Sequence, residues 1–336
     1  MRDVARLAGV SVASVSHALN NPTRISDSTR AKIEVAIDEL GFVVNSAARS
    51  VKAAGRGTGL GIVIGDLQHS FSVEVVKGAQ FQAREENVTL LIGNGNADVG
   101  EQARYVETFD QARMEGVLLN VMENASIHLA RLRAHGRAVV VINYRAEQFD
   151  HCRVLIDNEQ VGYDAVRHLA DLGSRRFLWL TGSAGWQPLV ERRKGIDRAV
   201  REIQGATVAE SVTPELKYED GRRHAQSLIR RWSQAPRIDG IICGTALAAR
   251  GFIDELHSSR TARVPDDIRL VSTDEDWRAD RGDVTLTVFR PSAEEAGREA
   301  VRLVRAEVAE GDQHTHRTVV YTSELVPGQS SLGSHQ

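Results

Sequence analysis

From Gly9 to Pro22 the chain reads GVSVASVSHALNNP, and its side chains match what the surface of a nucleic acid offers. The hydroxyls of Ser11, Ser14 and Ser16 suit phosphate oxygens, contacts that position a protein without reading sequence. Val12 and Ala13 are small apolar groups suited to thymine methyls, and the His17 imidazole can donate to N7 or O6 of guanine. Such a set is useful only when one rigid element presents it to base edges.

The surrounding residues supply that element. Val4, Ala5, Leu7 and Ala8 mark one face of a first helix, and Gly9 ends it by taking a left-handed turn. Ser11 is placed to cap a second helix with inner face Val15, Ala18 and Leu19, stopped at Asn20-Asn21-Pro22. Ser26 caps a third, whose apolar positions Ile33, Ala36, Ile37 and Leu40 run to a stop at Gly41. Ala5 is small where helices cross, Gly9 makes the turn, and Val15 locks the second helix on the first. That trio predicts a helix-turn-helix with its second helix in the major groove, against the plainer reading of a hairpin from a helical bundle.

Charge divides in the same place. The 336 residues carry 42 Lys and Arg against 45 Asp and Glu, a net charge of −3. Up to Gly57, however, there are eight basic residues against five acidic. A basic head on a mildly acidic body fits a nucleic-acid-binding arm. The sequence shows no export signal and no long apolar run, so a cytoplasmic protein without membrane contact is expected. Cys152 and Cys243 lie in separate apolar runs and read as reduced core residues.

Beyond a linker, NSAARSVKAAGRGTG, short apolar runs alternate with amphipathic helices: LGIVIG, VTLLIGN, GVLLNV, AVVVIN, RVLIDN, RFLWLTG, DGIICG, IRLVSTD and TLTVF. Helices are expected over 73–86, 100–112 and 158–172. Fully apolar runs of this length predict parallel strands covered on both faces. So many units call for two doubly wound halves, with ligands bound at the carboxyl ends of the strands.

Other signals carry no chemistry. The glycines of GRGTGLG precede a strand and lead into no helix, the wrong order for a phosphate loop. Ser183 lacks the pattern of a nucleophile elbow, and no catalytic set is assigned. His314 and His316 could share one side of a strand, but they read as a polar loop, so no metal and no cofactor are expected.

On the stretch DVARLAGVSVASVSHALNNPTRISDSTRAKIEVAIDELGF the chain resembles the lactose-repressor (LacI/GalR) family of bacterial transcription regulators. NSAARSV, GIVIGDLQHSF, LIDNEQVGYDAVRHLADLGSRR, ERRKGI, RVPDDIRLVSTDE and SELVPGQSS extend the resemblance over essentially the whole chain. It implies an α/β protein: a three-helix DNA-binding head (1–44), a hinge helix and linker (45–58), and a two-lobed periplasmic-binding-protein-like effector and dimerisation domain (59–330). Lobe one is expected at about 59–158 plus 289–319, lobe two at about 159–288 plus 320–330, with a tail at 331–336.

Position by position, the resemblance implies DNA contacts from Ser11, Val12, Ala13, Ser14, Ser16, His17 and Asn20, and from Asn45, Ala48 and Val51 of a hinge helix entering the minor groove. The family commonly has leucine at position 51, and valine wedges less deeply. It usually has arginine at position 17, where one imidazole donor gives weaker readout than a bidentate fork. It usually has threonine before the first helix; its absence points either to a late start or to a first helix that frays.

For an effector, the resemblance points to Phe71, Arg192 and Asp274, and Asn143 and Thr245 fall in the same cleft. Where the family often has Asp-Arg and Asn-Asp, this chain has Asn143-Tyr144 and Thr245-Ala246. Losing two carboxylates counts against a simple hexose and leaves open a phosphorylated, deoxy or less hydroxylated ligand, or no ligand. The function implied is a homodimeric repressor that binds a pseudo-palindromic operator and responds to a small molecule, a sugar or sugar derivative. The alternatives are a sugar-binding transport-type protein and a regulator governed by a partner protein. No enzyme is expected, and the tail lacks the leucine heptads of a tetramerising helix.

Overall fold

The computed structural model describes residues 1–20, 24–40, 59–121, 125–146, 150–182, 185–213, 215–230 and 237–332. The chain divides into two compact units, 1–56 and 57–336. Asn45, Ala48, Val51 and Ser183, together with the side chains of Leu19 and Asn20, lie outside the described residues.

The first unit is a trihelical cluster of α1 (Arg2–Leu7), α2 (Val12–Asn20) and α3 (Asp27–Glu39). Val4, Ala5, Val15, Ile33 and Ala36 form its core. Gly9 makes the α1–α2 turn at φ +65°, where a side chain would be strained. Ser26 Oγ accepts from the Thr29 N–H and caps α3, whereas Met1 precedes α1 without a side-chain cap. Leu7 and Leu40 depart from expectation: each is 45% exposed. Leu7 sits at the edge of the narrow arc that so short a helix can bury, and Leu40 follows the last turn of α3, beyond its helical partners.

In the second unit β1 (Gly59–Ile64), α4 (Ser70–Glu85), β2 (Thr89–Asn94), α5 (Val99–Gln111), β3 (Gly116–Asn120), α6 (Ala125–Ala134), β4 (Ala138–Ile142) and β5 (Cys152–Ile156) build the first lobe. The second contains α7 (Asn158–Asp171), β6 (Arg176–Thr181), α8 (Gln187–Glu202), β7 (Thr207–Val212), α9 (Tyr218–Arg230), β8 (Gly240–Cys243), α10 (Ala246–Ser259), β9 (Arg269–Ser272) and β10 (Thr287–Pro291). The chain then returns to the first lobe with α11 (Ala293–Glu310) and β11 (Thr318–Tyr321), and ends in the second with β12 (Ser323–Val326) and α12 (Gln329–Leu332).

Both sheets have six strands, in the orders β11-β5-β4-β3-β1-β2 and β12-β10-β9-β8-β6-β7. Pairing is parallel throughout except for β10 with β12. The two late crossings fall at Ser292 and Thr322, a few residues beyond the expected breaks, because β10 completes the second sheet before the chain leaves it. β7, β11 and β12 contain no long continuous apolar run: as edge strands they mix exposed and half-buried positions.

One helix crossing matters for the site. A Cβ on Gly162 of α7 would stand 1.9 Å from the Arg192 carbonyl oxygen of α8, and one on Gly195 would stand 1.8 Å from the Glu159 carbonyl oxygen. Two missing side chains let α7 and α8 touch backbone to backbone, which sets Arg192 against the first turn of α7.

Candidate functional site

Two surfaces carry the functional groups, one in each unit. In the head, α2 presents Val12 and Ala13 exposed and Ser16 and His17 half-buried. Their spacing, one and four residues apart, puts them on one face, with buried Val15 and the partly buried Ala18 on the other. Ser11 Oγ accepts the Ser14 N–H at 3.0 Å and pairs with Ser14 Oγ at 2.9 Å, so these two hydroxyls organise the start of α2 as well as facing outward. Asn20 closes the helix.

In the second unit a cleft with an interior of about 200 Å³ opens between the lobes. Phe71, Asn143, Arg192, Thr245 and Asp274 all line it. They come from separate stretches, and each stands at or just beyond the carboxyl end of a strand or at the start of the following helix, where a doubly wound sheet gathers loops.

Arg192 is the most heavily anchored. Its Nε donates to Asn158 Oδ1 at 3.0 Å, and its Nη1 to Thr273 Oγ1 at 2.9 Å and to the Gly244 carbonyl at 3.3 Å. Its Nη2 makes no hydrogen bond among the described residues. Burial lowers the Arg192 pKa, and the Asp274 carboxylate opposes that shift. Asp274 answers in kind: burial raises its pKa, while Arg192 and the Ala246 N–H pull it down. One oxygen, Oδ1, accepts from Ala246 N at 2.6 Å and Ser272 Oγ at 3.2 Å. Oδ2 makes no such bond among the described residues. A guanidinium and a carboxylate, each held rigid and each with a free edge, can together take the donor and acceptor of neighbouring hydroxyls.

The remaining expected residues play different parts. Asn143 takes φ +56° after β4, and its Oδ1 accepts from Asn158 Nδ2 at 2.9 Å. The Thr245 hydroxyl is committed in both directions, donating to the Leu216 carbonyl at 2.6 Å and capping α10 through the Ala248 N–H at 3.2 Å. It shapes the wall and leaves little for a ligand. Phe71 lines the cleft and also packs on the first-lobe core.

The cleft holds groups that the motif reading passed over. Trp186 precedes α8 and meets His69, which precedes α4, edge to face with centroids 5.5 Å apart. Asp66 follows β1, Asn120 ends β3 and Asn158 follows β5. Asp276 holds Arg278 through its backbone N–H and Nε, both at 2.9 Å. Asp66 and Asp276, both buried, keep carboxylates in this wall, with both oxygens of Asp276 committed to Arg278. The signal available was position alone, at or a few residues past the end of an apolar run.

Contacts also cross the cleft mouth. Ser70 Oγ donates to the Glu275 carbonyl, and Arg278 to the Gln68 carbonyl. Arg145 pairs with Glu191 at 2.8 Å, and its backbone N–H donates to Gln187 at 2.5 Å. These bonds hold the lobes together on both sides of the cavity.

Comparison with known proteins accords with this division. Residues 1–45 match the family described as bacterial regulatory proteins, lacI family, and residues 166–331 match a periplasmic binding protein-like domain. The chain thus carries a lacI-family DNA-binding domain followed by a periplasmic-binding-protein-like domain. Among curated relatives, the transcriptional repressor PurR of Vibrio atlanticus is 25% identical over 328 residues, 97% of this chain and 96% of that protein. The ribose operon repressor of Escherichia coli is 28% identical over 304 residues, 90% of each chain. Among solved structures, a LacI-family regulator from Silicibacter pomeroyi superposes with a TM-score of 0.84 at 20% identity. The lac repressor dimer bound to operator and an anti-inducer does so with a TM-score of 0.84 at 19%. Each of these covers 98% of both chains, and at that identity they speak for the fold. No helix of the described residues is long and apolar enough to cross a membrane.

Proposed function

We propose that this protein is a dimeric transcriptional repressor of the lacI family whose operator affinity is set by a small carbohydrate held between its lobes. The observation that carries the effector half is the Arg192–Asp274 arrangement: two half-buried, oppositely charged groups with fixed orientations and one unused edge each. Vicinal hydroxyls satisfy both edges at once. His69, Phe71 and Trp186 supply ring surface for the apolar face of a sugar. The cavity, about 200 Å³, is below the roughly 300–1,000 Å³ common for drug-sized ligands, which favours one small ring. Relatives whose names point to carbohydrates include the ribose operon repressor and a CelR regulator solved with the disaccharide cellobiose.

The reading assigns base contacts to Val12, Ala13, His17 and Asn20, phosphate contacts to Ser11, Ser14 and Ser16, and minor-groove contacts to Asn45, Ala48 and Val51. Two heads are needed because a helix-turn-helix of this kind reads two half-sites related by symmetry. Control follows from linkage. A ligand that binds the closed lobes more tightly than open ones shifts that equilibrium by its differential affinity, and operator affinity changes by the same coupling. The protein binds and releases its effector without turning it over, and it works in the cytoplasm, beside the chromosome.

The deciding experiment is selection of bound fragments from random and genomic DNA by the purified protein at fixed salt, followed by sequencing. Enrichment of a pseudo-palindrome with half-sites about one helical turn apart is expected. A folded dimer that enriches nothing at low salt would refute the DNA-binding half. Thermal shift against a panel of monosaccharides and their phosphates tests the other half, with stabilisation abolished by Arg192→Met as the expected signature.

A further inference from the structure

Far from the cleft, where β5 begins, four metal-ligating side chains converge. Cys152 opens β5, Glu307 lies in the last turn of α11, and His314 and His316 precede β11. One ligand atom from each lies within 4.8 Å of all the others. Cys152 Sγ is 3.1 Å from His314 Nε2 and 3.8 Å from His316 Nδ1. The two imidazoles stand edge to face, their centroids 5.1 Å apart. Cys152 and Glu307 are buried, and the His314 side chain is 1% exposed. The cleft residues Asn143 and Asn158 lie at the other end of the same strands, so this cluster is separate from the effector site.

We propose that Cys152, His314, His316 and Glu307 form a tetrahedral site for a divalent transition-metal ion, zinc by its ligand chemistry. A thiolate, two imidazoles and a carboxylate are the donors that zinc favours, with bond lengths of about 2.3 Å to sulfur and about 2.0–2.2 Å to nitrogen and oxygen. Those lengths set neighbouring donors roughly 3.3–3.8 Å apart, close to the two sulfur–nitrogen separations observed.

The surroundings are those of a supported site. His314 turns Nδ1 to Glu310 Oε2 at 2.7 Å, which leaves Nε2 aimed at the sulfur, an arrangement in which a carboxylate fixes the ring of a metal-binding histidine. The Arg317 N–H points at Cys152 Sγ at 3.4 Å. A thiol donating to His314 accounts for the shortest contact by itself. It does not account for His316 and Glu307 closing on the same point. Arg133 bonds Glu307 Oε1 at 2.6 Å and lies 3.2 Å from His316 Nε2, so metal uptake requires it to yield the histidine and keep a carboxylate contact. Binding exchanges the thiol proton for the metal: the S–H bond breaks, a sulfur–zinc bond forms, one proton enters solvent, and nothing is oxidised or reduced. The ion would tie β5, α11 and the approach to β11 together, stabilising the first lobe.

The test uses the full chain, stripped with chelator and dialysed, titrated with zinc chloride against a chromogenic chelator. One equivalent of tight binding per chain is expected, with a rise in melting temperature. Cys152→Ser and the double variant His314→Asn/His316→Asn should each weaken binding by about a hundredfold or more and lose the thermal shift. Cobalt substitution should give a thiolate charge-transfer band in the near ultraviolet that Cys152→Ser lacks. Should Cys152→Ser fail to fold, the paired histidine variant, altered outside any strand, carries the comparison. Absence of stoichiometric uptake by the folded wild-type chain, or uptake unchanged in the histidine variant, overturns the site.

Discussion

The His69 imidazole stands edge-on to the Trp186 indole, with centroids 5.5 Å apart and planes at 85°. His69 belongs to the first lobe and Trp186 to the second, so this pair is made only when the lobes approach. Aromatic pairs of this geometry contribute about 0.5–1.5 kcal/mol beyond their buried area. Trp186→Ala should therefore weaken binding of whichever sugar stabilises the wild-type protein by about tenfold, roughly 1.4 kcal/mol. Isothermal titration measures it, and unaltered sugar affinity would remove Trp186 from the site.

Arg192→Met removes the cation that restrains Asp274, and the consequence has a definite pH signature. Burial already lifts the Asp274 pKa above its ordinary 3.8. The folded state thus holds this proton more tightly than the unfolded state, and stability falls as pH rises from about 3.8 through the folded-state value. Without Arg192 that window widens upward. The stability gap between wild type and variant, read from urea midpoints, should grow from acid pH towards neutrality. A gap independent of pH would mean that the two charges are not coupled.

Gly162→Ala places a methyl group 1.9 Å from the Arg192 carbonyl oxygen. Backbone cannot give way as a flexible side chain can, so α7 and α8 must separate. The expected cost is about 1–3 kcal/mol, seen as a lower melting temperature, with loss of sugar binding because Arg192 moves from Asn158. Gly205→Ala is the contrasting control: φ is also positive there, at +74°, but no atom lies within 4 Å of the added carbon. It should lose stability through backbone strain while sugar affinity is kept.

His17→Arg replaces one imidazole donor by a fork that spans N7 and O6 of guanine. The preferred base should change at one symmetric pair of operator positions, worth about 1–3 kcal/mol of discrimination. Sequencing of selected fragments reads this directly, and an unchanged consensus would show that His17 does not face a base.

Ser11→Ala deletes the hydroxyl that accepts the Ser14 N–H. About 1 kcal/mol of head stability should be lost. Circular dichroism of the full chain should show partial loss of helix at a lower temperature than in wild type, with the second unit melting as before.

Local pattern was legible in the residues wherever a single element decides the outcome. Gly9, Ser11 and Ser26 mark where helices begin and turn, because capping and left-handed backbone depend on one or two residues. The fully apolar runs mark interior strands because a parallel strand is covered on both faces. The edge strands β7, β11 and β12 escaped because one-sided burial looks like loop polarity, and Leu7 and Leu40 because periodicity does not count the partners available to cover a face.

Arg192, Asp274, Phe71, Asn143 and Thr245 could be named from motif resemblance, and all five line the cleft. Their roles depend on geometry that no local pattern encodes. Thr245 is spent on capping a helix, while Asp66 brings a carboxylate from beyond β1 and Asp276 anchors Arg278 beyond β9. His314 and His316 read as a polar loop until β11 is laid beside β5, which brings Cys152 to them from more than 160 residues away. Sequence alone determined the two-unit plan and the elements, since these follow from contacts a few residues apart. Which side chains share a cavity was decided by sheet order and by the glycine-permitted approach of α7 to α8, which are long-range packing choices.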